Sequence, residues 1–456
     1  MNDQSPARLT LPMKIGWAIG ELGIAVFVGV TMMFFLFYLT EAHGVSPAWA
    51  GIALLVPRLL DALVDPLFGA ISDRTKSRMG RRRPYLLAGS ILYGSGIYLF
   101  LAMPAFATET AKVAYAIIAY IFASFAYSVM SVPYSAMTAE MTTDYKERTE
   151  LVGYRMIAAR TGIIGAGTLT PILYGTQDTL AEGFRLVGFV FGLFMAVTGL
   201  IAFFATRNAP RIERPVQAFN LKEEFRAIVG NRPFSILFLV FLCQNIAIGA
   251  SATTLVYFLT YVMRADATMI GPLIAIGGVT ATIFTPPWVL VSKRLGKRPA
   301  YFSALAISCV MALPALFLPP SMFTILFAVY FLAAIGDAGN QLMSNSMVPD
   351  TVEVDEHRTG ERREGAIFGA WAFCLKLGMA LGAFFVSIGL QSAGFLQGSG
   401  VEAQPALAIT GVRLLYGLVP FVFWIGAIFV LSRYDLSETR FNILKKEIAD
   451  RRVPAE

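Results

Sequence analysis

The stretch "DALVDPLFGAISDRTKSRMGRRRP", Asp61 to Pro84, decides the fold. Its first half lies in an apolar segment long enough to enter a bilayer, yet it carries two carboxylates, Asp61 and Asp65, four residues apart. Arg74, Lys76, Arg78, Arg81, Arg82 and Arg83 follow it closely. An apolar segment with acids in its interior and a basic cluster at its end reads as a working membrane helix running into a cytoplasmic loop.

The whole chain fits that reading. Of 456 residues, 56% are hydrophobic and only 15% charged, with a mean hydropathy of +0.63. A soluble domain carries about a quarter charged residues. The charge is clumped, which leaves apolar runs of about 20 residues, enough to cross a hydrocarbon core about 30 Å thick. The net charge of +7 sits in short loops between those runs, as topology requires, so no nucleic-acid partner is expected. Cys243, Cys309 and Cys374 all lie in apolar runs and read as small buried hydrophobes, with no disulfide set or metal cluster. The polar first dozen residues lack a short apolar core, so no cleaved signal peptide is expected.

Apolar segments fall near 13–40, 48–72, 84–104, 112–138, 149–174, 183–205, 233–262, 267–291, 299–319, 321–348, 365–391 and 409–432. These are long continuous runs, which excludes a barrel of short alternating strands. Loops 73–84, 144–148, 206–232, 292–298 and 355–364 are basic, and the intervening loops are nearly free of Lys and Arg. The basic set is therefore cytoplasmic, and so are both termini. The expected protein is multi-pass, in the inner or plasma membrane. The tail holds "RFNILKKEIADRR" (440–452), read either as a short amphipathic helix or as solvated chain.

The halves echo each other. "SRMGRRRPYL" (77–86) resembles "SKRLGKRPAYF" (292–302), with Gly80 matching Gly296. "SAMTAEMTTD" (135–144) resembles "NSMVPDTVEV" (345–354), with Glu140 matching Asp350. The repeat implies an all-α membrane protein with the major facilitator fold: twelve transmembrane helices in two six-helix bundles. The expected domains are 1–205 (first bundle), 206–232 (cytoplasmic middle loop), 233–432 (second bundle) and 433–456 (cytoplasmic tail). That architecture places a solute site near mid-membrane between the bundles.

Asp65 lies eight residues from Asp73 and so roughly 12 Å deep, and Asp61 roughly 18 Å deep. Their spacing stacks them on one helix face. Two acids this close repel, and a proton or cation between them relieves the repulsion. The competing reading is a buried salt bridge with Arg58, one turn away. The basic cluster orients the helix and meets anionic lipid. Asp73, Arg74, Arg78, Arg81 and Arg82 are also read as a cytoplasmic gate.

"RLLDALVDPLFGAISDRTKSRMGRRRPYLLAGS", "DYKERTELVGYRMIAARTG" (144–162) and "MVPDTVEVDEHRTGERREGAIFGAWAFCLKLG" (347–378) resemble the glycoside–pentoside–hexuronide:cation symporter family, to which the melibiose permease belongs. The resemblance implies that Asp61 and Asp65 bind the coupling cation, Na+ or H+, with Ser128 as a hydroxyl ligand. It implies that Arg155 and Tyr127 lie near the solute and that Lys376 links cation and solute sites. The family's two sugar-binding acids are replaced by Ala25 and Ser131. Its aromatics are replaced by Ser135 and Gln341, and a cation-ligating amide by Val64. Melibiose itself is therefore not expected, and the lost amide favours protons. The chain's own polar groups, Glu21 in the first span and Asp337, Asn340, Gln341, Ser344 and Asn345 in the tenth, are read as solute contacts or as helix–helix hydrogen bonds. Asp337, Gln341 and Glu21 are carried forward as solute contacts. The expected activity is cation-coupled symport of a sugar or glycoside by a monomer. The alternatives are a lysophospholipid or other amphiphile as cargo, or an uncoupled facilitator. No cofactor and no enzymatic activity are expected, since the two histidines, His43 and His357, lie in loops and no zinc, nucleophile-elbow or phosphate-loop motif occurs.

Overall fold

The computed structural model describes residues 9–142, 144–210, 230–360, 363–436 and 438–452. Most of the middle loop (211–229) and Arg362 of the basic loop 355–364 lie outside the described residues. The helices are α1 (Leu11–Phe37), α2 (Pro47–Arg74), α3 (Arg83–Leu101), α4 (Glu109–Met141), α5 (Tyr145–Tyr174), α6 (Leu180–Ala205), α7 (Arg232–Tyr257), α8 (Ala267–Leu295), α9 (Lys297–Ala312), α10 (Phe323–Thr359), α11 (Glu364–Ser392), α12 (Ala406–Leu431) and α13 (Glu438–Arg452).

Hydrocarbon offers no partner for a bare N–H or C=O, so each apolar run closes its hydrogen bonds within itself as a helix. The starts are written in the sequence. Proline opens α2 at Pro47 and falls in the first turn of α1, α3 and α7. Thr108, Asp144, Thr179 and Asn231 cap α4, α5, α6 and α7 through their side-chain oxygens. At α6 Thr179 Oγ1 also donates to Glu182 Oε2 at 3.0 Å. Among the described residues, eleven helices are long and apolar enough to cross a membrane by composition alone. The 28-residue α2, which holds Arg58, Asp61 and Asp65, is long enough to be a further span.

The chain forms two compact units. In the first, α1 packs on α5 and α6, α3 on α4 and α6, and α2 on α4. A Cβ on Gly94 would stand 2.4 Å from the carbonyl oxygen of Gly192, so α3 and α6 cross backbone to backbone. Aromatic rings fill the centre, with Phe35 stacked on Phe100 at 4.9 Å and Trp17 on Tyr134 at 4.9 Å. In the second unit α9 packs on α10, and Phe241 stacks on Trp371 at 3.8 Å. Large apolar side chains such as Ile91, Ile118 and Phe189 are exposed along their helices. Such a surface belongs against lipid, not water.

The internal repeat is visible as local geometry. Gly80 (φ 92°) and Gly296 (φ 88°) both take the conformation that favours glycine, each immediately before a basic residue. The first helix of each half ends in a π turn, Tyr38–Ala42 after α1 and Phe258–Val262 after α7. Two boundaries differ from expectation. The tenth span continues to Thr359 because its charged end keeps helical hydrogen bonds beyond the apolar part, stopping at Gly360 (φ 76°). The ninth is shorter, as the chain tightens into a 3₁₀ turn at Leu313–Leu316 containing Pro314. The tail forms a helix: α13 packs on α10, with Phe441 and Leu444 against the second unit's core and Glu447 2.7 Å from His357.

Gly296 (φ 88°, ψ 161°) lies in a region open essentially to glycine alone, and a Cβ there would meet only Pro299 at 3.8 Å. Gly296→Ala is therefore expected to lower stability by about 1–3 kcal/mol through backbone strain alone, read by thermal unfolding in detergent. Unchanged stability would contradict the geometry.

Candidate ion and solute site

Helices α2 and α4 lie against each other, and their contact brings the acids to a hydroxyl. Ser128 Oγ lies 2.9 Å from Asp61 Oδ1 and 2.7 Å from Asp65 Oδ1. Asp61 and Ser128 are buried, and Asp65 is half-buried. One hydroxyl has one hydrogen to give. Two carboxylate oxygens converge on it. Arg58, one turn before Asp61, donates to Thr31 Oγ1 (3.0 Å) of α1, and its guanidinium lies 5.8 Å from the Tyr120 ring centre.

A second polar cluster in the first unit joins α1, α4 and α5. Arg155 Nε donates to Glu21 Oε2 at 2.7 Å, and Nη2 donates to Ser135 Oγ at 2.9 Å. The guanidinium stands 5.7 Å from the Tyr134 ring centre. Glu21 is buried and Arg155 half-buried. Tyr127, one residue before Ser128, stacks on Phe27 at 4.8 Å. The structure therefore brings Glu21 and Arg155 together as an ion pair, and sets Tyr127 beside the acid pair's serine in sequence.

In the second unit, Asp337 and Gln341 on α10 and Lys376 on α11 are half-buried. Their polar neighbours divide. Asn340 is buried and donates to Ser308 Oγ of α9 at 2.8 Å, a helix–helix hydrogen bond. Ser344 and Asn345 donate to the Gln341 backbone carbonyl, and Trp371 Nε1 donates to Asn345 Oδ1 at 3.3 Å. Asn340 and Asn345 thus take part in the helix–helix hydrogen bonds that were the competing reading, whereas the Ser344 bond stays within α10.

The basic loop after α2 is organised by an acid that sequence reasoning did not place there. Glu140 Oε1, at the end of α4, accepts from Arg81 Nε (3.0 Å) and Arg82 Nε (2.9 Å). Arg82 also pairs with Asp73 and donates to Ser72. Arg83 donates to the Phe203 carbonyl at 3.0 Å, closing the last turn of α6. Arg74 and Arg78 are exposed. In the second unit Lys297 meets Asp350 at 2.6 Å, and Arg298 donates to the Ser432 carbonyl beyond α12. The repeat match of Glu140 with Asp350 was the signal that could have found Glu140. Thr31 carried no sequence signal, since a threonine on an apolar helix is unremarkable. Near α5, Glu147 accepts from Leu9 N (2.8 Å) and Thr142 Oγ1 (2.7 Å) and pairs with Lys14 (3.2 Å), tying the start of α1 to α5.

Twelve membrane helices in two six-helix bundles, with intramembrane acids facing a hydroxyl, define a transporter of the major facilitator fold. Two solved transporters share that fold. One is a bacterial homologue of the human lysosomal transporter Spinster, with TM-score 0.70, 16% identity and 98% of each chain covered. The other is the nucleoside transporter NupG, with TM-score 0.63, 14% identity, and 96% of this chain and 100% of that one covered. The sequence narrows the class. The chain belongs to the MFS/sugar transport protein family, which it matches over residues 16–438, the glycoside–pentoside–hexuronide symporters expected from its motifs. Among its relatives are the uncharacterized symporter YnaJ of Bacillus subtilis (28% identical, 99% of this chain and 97% of that one) and the inner membrane symporter YicJ of Escherichia coli (26%, 97% and 95%). The glucuronide carrier protein homolog of Escherichia coli is 26% identical, over 96% and 95%.

Arg82 and Glu140 are largely buried, whereas the Lys297 side chain is 44% exposed. Glu140→Gln is expected to cost about 2 kcal/mol, below the usual range for a broken buried pair because Arg82 keeps Asp73. Asp350→Asn should cost under ~1 kcal/mol. Paired thermal melts check the order. Equal costs would show that the two loops are energetically alike.

Proposed function

We propose that the protein is a cation-coupled symporter that moves a sugar or glycoside into the cell, with H+ or Na+ bound at Asp61, Asp65 and Ser128. The observation that carries this is the convergence of two acids from α2 on one buried hydroxyl of α4. An intramembrane acid pair costs a few kcal/mol and persists where it has work to do. The cation cancels the repulsion there and favours the solute-bound form that exposes the site alternately to either side. Arg155 with Glu21, Tyr127, Asp337 and Gln341 are the solute contacts in this reading, and Lys376 couples the solute to the cation. The loop residues Asp73, Arg74, Arg78, Arg81 and Arg82 form the cytoplasmic gate. The names of the relatives support the solute class, since one is a glucuronide carrier homolog. The protein acts as a monomer in the inner or plasma membrane, with both termini in the cytoplasm.

A membrane potential of 100 mV contributes about 2.3 kcal/mol per charge carried, roughly 50-fold in accumulation. Uptake into proteoliposomes, screened over glycosides, hexuronides and lysophospholipids with imposed Na+ or pH gradients, tests both solute and ion. Asp65→Asn should fold normally, bind the solute and lose accumulation against a gradient. Accumulation that survives in this variant places the coupling elsewhere, and response to lysophospholipid alone replaces the sugar reading.

A further inference from the structure

We infer that the seam between α9 and α12 holds an anionic phospholipid, with Arg298 and Arg433 on its phosphate and the exposed face of α12 along its acyl chains. The two helices touch at both ends. At one end Arg298 Nη2 donates to the Ser432 carbonyl oxygen at 2.6 Å, just beyond α12. At the other, a Cβ on Gly417 of α12 would stand 3.1 Å from the carbonyl oxygen of Ala312, the last residue of α9. The first contact brings Arg298 beside Arg433, the residue after Ser432.

Both arginines are exposed, yet neither reaches away from its helix. The Arg433 guanidinium lies 4.4 Å from the ring centre of Phe429, one turn back along α12. The Arg298 guanidinium lies 5.7 Å from the ring centre of Phe302, one turn into α9. A long basic side chain at the end of a span ordinarily extends its charge into water. Folded back, these two stay at the apolar boundary, the depth of lipid phosphates. Among the described residues neither arginine meets a carboxylate. Asp435, the acid nearest to Arg433 in sequence, lies 3.6 Å from Arg440. Arg298 gives one N–H to Ser432, and the remaining N–H groups of the two guanidiniums suit the oxygens of a phosphodiester.

The surface beside them suits the rest of a lipid. Val422, Ile425 and Phe429 are exposed at spacings of three and four, one stripe of α12, with Phe429 57% exposed. The repeat shows that the fold does not need this arrangement. "FFATR" (203–207) at the end of α6 matches "FVLSR" (429–433). There Phe203 is buried, and the arginine on its ring, Arg83, is buried with it at 4.4 Å. The first half uses its arginine and phenylalanine inside the bundle, and the second turns them outward. A zwitterionic headgroup brings its own cation and gains less from two guanidiniums. A free phosphate gains nothing from the apolar stripe. In the topology proposed above this end is cytoplasmic, so the lipid belongs to the inner leaflet.

The test needs no identified solute. The purified full chain in detergent is titrated with dioleoyl phosphatidylglycerol at rising mole fraction. Parallel titrations use dioleoyl phosphatidylcholine, which has the same chains, and water-soluble glycerol 3-phosphate. Binding is read as the ligand-dependent rise in melting temperature. Phosphatidylglycerol should raise it at the lowest mole fraction, and the other two should do much less. One basic charge near an anionic lipid surface is worth about fivefold in binding. Arg433→Gln should therefore raise the half-saturating mole fraction about fivefold, and the Arg298→Gln, Arg433→Gln pair roughly 30-fold. Arg207→Gln, which removes one charge at the matching end of α6, should leave it unchanged. If the pair fails to fold, Arg433→Gln and Arg207→Gln alone decide. An equal response to phosphatidylcholine or to glycerol 3-phosphate overturns the inference, and so does a shift in Arg207→Gln as large as that in Arg433→Gln, or no shift in either.

Discussion

Charge inside hydrocarbon must be met by other charge or by hydrogen bonds, and that requirement organises the first bundle. Moving an unpaired carboxylate or guanidinium out of water costs several kcal/mol, a large part of a domain's stability. Each intramembrane charge followed here therefore ends on a polar atom of another helix. Arg155 of α5 reaches Glu21 of α1 and Ser135 of α4, Arg58 of α2 reaches Thr31 of α1, and Asp61 and Asp65 of α2 share Ser128 of α4. These contacts join the helices whose apolar faces also pack together. In a bilayer, where lipid competes for apolar contact, such polar ties give the packing its register.

The two halves use one loop device at different strengths. In each, a glycine with positive φ turns the chain, the next basic residue meets an acid from the fourth helix, and a following arginine takes a carbonyl at the end of the sixth. In the first half the acid is shared by two arginines, one of them buried, and Arg82 also holds Asp73. In the second a single lysine, half in solvent, does the pairing. A buried pair resists rearrangement, since breaking it strands a charge, whereas an exposed pair exchanges with water at little cost. The same fold motif is therefore firm in one half and yielding in the other.

Much of this was legible before any coordinates. Twelve spans follow from apolar length and loop charge, and the acid pair from a four-residue spacing on one helix face. The extension of α10 to Thr359 was not legible, because apolarity ends at the membrane surface while helical hydrogen bonding does not. The partners of the charges were hidden as well. Glu21 and Arg155 are 134 positions apart, and no spacing rule connects them. Arg58 and Thr31 are 27 positions apart, and only the approach of α1 in three dimensions reveals their hydrogen bond.

The resemblance left one tension that the geometry resolves in part. The family's first-helix acid is replaced by Ala25, and a stacking aromatic by Ser135, which reads as the loss of a sugar grip. Yet Glu21 stands four residues before Ala25, on the same face of α1, and it pairs with the arginine that the family's pattern assigns to the solute. An acid of α1 thus meets that arginine about 6 Å along the helix axis from the replaced position. Ser135, in the aromatic's place, accepts from that same arginine. In the proposed function the exchange is one of stacking for hydrogen bonding. A site built on buried hydrogen-bonding groups rejects a solute that leaves them unpaired far more strongly than an apolar surface rejects a misfit, by about 10⁴ against 10². Selectivity would then rest on where the solute carries its hydroxyls, not on the breadth of its apolar face, and that weighs against an amphiphile as cargo.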